Sequence, residues 1–218
     1  MSVPPQVVVR GEAVLTVPAE VAEVMAVVRV SARDRQTALE RCRARSDEVA
    51  RAVAAAGDAV ETSDTAAASV HVERYDQGPG TPVATVQTRI LLGRPEAAGD
   101  LVAALGELDD VMVEGPWWRL RPGSGAPEEA RLAAIDDAVR RARLYAGAFG
   151  AEITGLVEIT DAGLTRSGRA GFGGDVEGVA LLGAGGHRLE LTPQEQRVYG
   201  SVEVRFTMSV PDPEVFRR

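Results

Sequence analysis

The chain has 218 residues, 24 of them basic and 32 acidic, for a net charge of −8. Every basic residue is arginine, which excludes a P-loop lysine and a Schiff-base lysine. The acidic balance, with pI ≈ 4.9, gives no long-range attraction to phosphate backbones, so no nucleic-acid partner is expected; the single Cys42 excludes an internal disulfide and a cysteine-based zinc site.

The length suffices for a core burying roughly 70% of the unfolded chain's surface. The first residues carry no charged segment followed by an apolar one, and no stretch approaches the ~18 apolar residues of a membrane helix. The expectation is a soluble cytoplasmic protein without a membrane span.

Residues 7–10 and 19–31 are valine-rich and bounded by Gly11 and Pro18, which predicts two strands joined near those breakers. Residues 34–56 then repeat apolar or small side chains at Leu39, Cys42, Ser46, Val49, Val53 and Ala56, the spacing of an amphipathic helix. Asp34 is its N-cap candidate, and Gly57 lies past its end. Strands are expected at 67–75 and 84–92 around a turn-forming DQGPGTP, followed by a short helix over 95–108 and a strand over 111–120.

A second amphipathic helix follows, with Pro127 in its first turn, Glu128 and Glu129 complementing its dipole, and Leu132, Ile135, Val139, Ala142, Ala146 and Phe149 as its stripe before Gly150. Strands are expected over 153–160 and 197–210. The latter alternates Val198, Gly200, Val202, Val204, Phe206 and Met208 against a polar set. The sum is α+β: a mainly antiparallel sheet with two long amphipathic helices packed on it, as a single domain over 1–218. Residues 163–186 hold nine glycines in 24 positions and form a Gly-rich loop.

Three motifs occur in order: VVVRGEA with VPAEVAEV over 7–24, DDAVRRARLYAGAFG over 136–150, and LTPQEQRVYGSVEVRF over 191–206. Together they resemble the SIMPL domain family, which includes bacterial periplasmic immunogenic proteins and a eukaryotic kinase-associated signalling protein. The family often has glycine where Ala13 stands and aspartate where Ala19 stands, and many bacterial members carry an export signal. The resemblance implies helices packed on a sheet and, from some relatives, ring-like or channel-like assembly. It supplies no catalytic residue.

The remaining chemistry has bland readings. His71 and His187 lack a second ligand at metal spacing, and Cys42 sits on the helix stripe without a histidine partner. After Gly171 and Gly173 a dinucleotide fingerprint would place glycine at 176, which is Val176. Asp109–Asp110 and Asp136–Asp137 are adjacent pairs whose side chains diverge, and Arg131, Arg140, Arg141 and Arg143 are expected to ion-pair with neighbours.

Trp117 and Trp118 fall on opposite faces of one strand, so one belongs to the core and the other to a covered surface or an interface. These two and Phe172 are the candidate interaction residues. No metal, cofactor or catalytic residue is assigned. The expected function is a non-enzymatic, self-associating scaffold or interaction protein, a homo-oligomer with a possible protein partner. The alternative is a small-ligand binding protein or unrecognised enzyme whose site is closed by the 163–186 loop. A signalling adaptor rests on family analogy alone.

Overall fold

The computed structural model of the chain describes residues 4–74, 80–161 and 190–217; the Gly-rich 163–186 stretch, Phe172 and His187 lie outside them. The fold is α+β. In chain order it runs β1 (Gln6–Val17), β2 (Val21–Ser31), α1 (Arg35–Ala55), β3 (Val60–Glu73), β4 (Thr81–Leu92), α2 (Ala98–Gly106), β5 (Val111–Arg119), α3 (Ala126–Ala148), β6 (Ile153–Asp161) and β7 (Gln196–Met208). The strands divide between two sheets, where the sequence suggested one, and the chain divides into two compact units that each carry one sheet.

The first unit contains the sheet β1-β7-β6 and helix α3. Its core is Val9, Ala134, Ala138, Ala142, Val202, Val204 and Phe206. The alternation read in β7 is present: Gly200, Val202, Val204 and Phe206 are buried while Tyr199 is exposed. Two expectations are corrected. Strand β1 does not turn at Gly11 but continues to Val17. Gly11 serves close approach instead, because a Cβ there would lie 2.7 Å from the Ala138 nitrogen and 2.8 Å from its Cβ, and would overlap the Ala134 carbonyl. Gly200 meets the Ala130 carbonyl in the same way.

The second correction concerns the face of α3. Its buried apolar residues are Ala130, Ala134, Ala138, Ala142 and Ala146, whereas Leu132 is 58% exposed and Phe149 stacks on Phe216 with ring centroids 5.9 Å apart. Alanines opposite glycines bring helix and sheet backbones together, and a leucine would hold them apart. Asp137 is buried on the same face, accepting from the Glu12 amide at 3.1 Å and from Arg141 Nε at 2.8 Å, with Arg140 as a further partner. The helix ends as expected at Gly150, which has φ 65°, and the Ala151 amide donates to the Ala146 carbonyl at 2.9 Å.

The second unit holds the sheet β3-β4-β2-β5 with α1 and α2 against it. Its strands pair antiparallel: Ala22, Val24, Ala26, Val28 and Val30 of β2 share one face with Leu92, Ile90, Thr88, Val86 and Ala84 of β4. That face meets Ala38, Cys42, Val49 and Val53 of α1 and Leu101, Val102 and Leu105 of α2. Each large side chain removed from water there, such as Ile90, Leu92 or Leu105, contributes roughly 1.5–3 kcal/mol. Asp34 caps α1 by accepting from the Thr37 amide at 2.8 Å, and Gly57 beyond its end has φ 56°. Leu39 departs from the expected stripe, being 50% exposed while Ala38 is buried. Among the described residues no helix is long and apolar enough to cross a membrane.

Candidate functional site

Most residues suited to chemistry are engaged in holding the fold. Cys42 is 2% exposed in the core under α1, and burial pushes its thiol up, so it is protonated and screened from solvent near neutral pH. Asp109 and Asp110 receive Arg45, and Asp110 also Arg41. Asp136 is exposed and Asp137 buried, so that pair does diverge. The Glu12 amide, with Arg141 and Arg140, holds the Asp137 carboxyl below its usual range. His71 is exposed on β3, 3.2 Å from Glu73, which also takes Arg29. No group of three or more metal-ligating side chains occurs among the described residues.

The tryptophans of β5 face opposite ways. Trp118 lies across from Ala22 and packs on the core; Trp117 lies across from Glu23 on the other face, partly buried. The strand thus brings an indole to each face of the sheet.

The longest exposed run among the described residues lies on β3, which the sequence placed only from residue 67. The strand begins at Val60, is paired along one side to β4, and is the sheet's edge. Residues 61–72 are exposed without interruption, on both faces. The stretch ETSDT has weak strand propensity by itself, and its extended form is imposed by the ladder with β4: Ser63 lies across from Ile90, Asp64 from Arg89 and Thr65 from Thr88. Ala66 is bulged between Thr65 and Ala67, and beyond it Ala68 lies across from Val86.

Between β3 and α1 runs an open groove of about 440 Å³, lined by Leu39, Arg43 and Ser46 of α1, Ala68 and Val70 of β3, and Val86 of β4. Its floor is apolar, and Val70 and Val72 of β3 are 37% and 36% exposed. A second depression, of about 460 Å³, is walled largely by alanines of α1 and its surroundings with Arg94, Glu96 and Asp100 at its rim. Among the described residues the first is lined by no acid or histidine, and the second by Glu96 and Asp100 without a nucleophile beside them. The surface offers strand backbone without a second partner strand among the described residues, small side chains and an apolar border, which are features that bind another polypeptide.

Residues 7–206 match a family model described as SIMPL, protein of unknown function (DUF541), and the match runs across both units. No curated protein matches the chain.

Proposed function

The chain belongs to the SIMPL family, and on that premise we propose that it is a non-enzymatic interaction protein that associates with copies of itself through exposed sheet edges. One observation carries the reading: a fourteen-residue edge strand whose middle twelve residues are exposed on both faces. An edge of that length is an association template unless something blunts it; β3 has no lysine, arginine or proline from Val60 to Glu73, and only the bulge at Ala66 and the carboxylates of Glu61, Asp64 and Glu73 interrupt it. The Asp137 and Asp110 carboxylates and the Cys42 thiol are occupied in packing and ion pairs, which supports a scaffold role over catalysis. Trp117, on the outer face of the same sheet, adds aromatic surface of the kind that anchors contacts.

The test is the mass of the native particle by light scattering at micromolar concentration. A multiple of 23.0 kDa is expected. A strictly monomeric particle would overturn the proposal.

A further inference from the structure

We propose that two copies of the chain join their β3 strands antiparallel about a two-fold axis at Ala68, extending the four-stranded sheet across the pair. The inference rests on the self-association proposed above and specifies its surface and register.

The ladder that β3 makes with β4 fixes which of its residues share a face. Ser63, Thr65, Ala68, Val70 and Val72 lie with Ile90, Thr88, Val86, Ala84 and Pro82, toward α1; Thr62, Asp64, Ala67, Ser69, His71 and Glu73 lie on the other side, and the bulged Ala66 takes no partner. A two-fold axis between antiparallel strands passes through a residue facing its own copy, and facing residues must project to the same side of the sheet. With the axis at Ala68, Ala67 faces the second copy's Ser69, Thr65 faces Val70, Asp64 faces His71, Ser63 faces Val72 and Thr62 faces Glu73. Every position from Thr62 to Glu73 except the bulge is then paired.

Charge selects this register among its neighbours. It sets each Asp64 carboxylate against an imidazole of the second copy, twice by symmetry, and places no like charges directly opposite. Moving the axis one residue on, to Ser69, sets Asp64 against the second copy's Glu73 and shortens the ladder. Moving it back to Ala67 leaves Glu73 overhanging and separates Asp64 from His71. At the centre stand Ala67, Ala68 and Ser69, too small to hold the strands apart. The exposed Val70 gains the side chain of Thr65 as a neighbour along the groove, and Val72, beyond it, gains Ser63.

The experiment uses the full chain with Cys42→Ala and one added cysteine. Ala68→Cys places two thiols side by side at the axis, and a short bis-maleimide should convert most of the protein into covalent dimer. Thr62→Cys puts the two thiols roughly 30 Å apart, ten ladder steps, and should give none. Separately, Asp64→Ala should weaken association ~10-fold by removing two facing carboxylate–imidazole contacts, and Asp64→His combined with His71→Asp, which exchanges the partners, should keep it within about threefold of the parent. An oligomer of unchanged mass in which neither cysteine couples and Asp64→Ala has no effect would overturn the β3 register while leaving self-association standing. A monomer would overturn both and leave the edge to a different polypeptide.

Discussion

Replacing Gly11 by alanine tests whether close helix–sheet contact governs the first unit. The added Cβ would sit 2.7 Å from the Ala138 nitrogen and 2.8 Å from its Cβ, and would overlap the Ala134 carbonyl, all in α3. Two of these are backbone atoms that cannot rotate aside, so the helix must lift. Separation by even ~0.5–1 Å forfeits a quarter to a half of each dispersion contact along the alanine face. Overpacking of this kind costs about 1–3 kcal/mol, and alanine recovers roughly 0.4–1 by restricting the unfolded chain. The expected net loss is about 1–2 kcal/mol, read as a lower urea midpoint at unchanged slope. Gly200→Ala should behave alike, and the double variant should lose less than the sum, since one displacement of α3 relieves both. Gly147→Ala, in the same helix with no atom within 4 Å of its added Cβ, is the control and should gain roughly 0.5–1 kcal/mol. A Gly11→Ala protein as stable as the parent, beside a well-behaved control, would refute the reasoning.

Asp137→Asn should lower the urea midpoint at neutral pH by weakening the link among Glu12, Arg140 and Arg141. Because the folded carboxyl is held low, its stabilisation is complete above the unfolded value of about 4 and is lost as pH falls through the folded one, so parent and variant should converge in acid. Cys42→Ala should cost on the order of 1 kcal/mol, and Cys42 in the native parent should react with a thiol reagent only on unfolding. Trp118→Ala should lose about 2–4 kcal/mol of stability in the same titration, whereas Trp117→Ser should leave the far-ultraviolet spectrum intact and reduce particle mass by light scattering to no less than the β3-joined pair, since β5 is the opposite edge of the sheet. Asp34→Ala should lower the thermal midpoint and Asp34→Ser should retain most of it, because a hydroxyl still accepts from the Thr37 amide.

Signals confined to a few neighbouring residues were legible in the sequence. Asp34 three positions before Thr37, Gly57 and Gly150 past two helices, and the alternation of β7 each act over less than two turns of chain, where side-chain type and backbone angle decide the outcome. Trp117 and Trp118 on opposite faces follow from the pleat alone. The tertiary structure decided which candidate stripe became core. The larger Leu132, Ile135 and Val139 suggested one face of α3, but Gly11 and Gly200 leave room only for alanines and thereby turn Leu132 outward. It also decided that residues 60–66 are strand. Glu61, Ser63 and Asp64 have little tendency to extend by themselves, and the conformation of this stretch is stabilised by hydrogen bonding to β4, a partner some twenty-five residues away in sequence. A helix face is chosen by the surface it meets and an edge strand by the strand it borders, and neither partner lies within the window that local side-chain patterns describe.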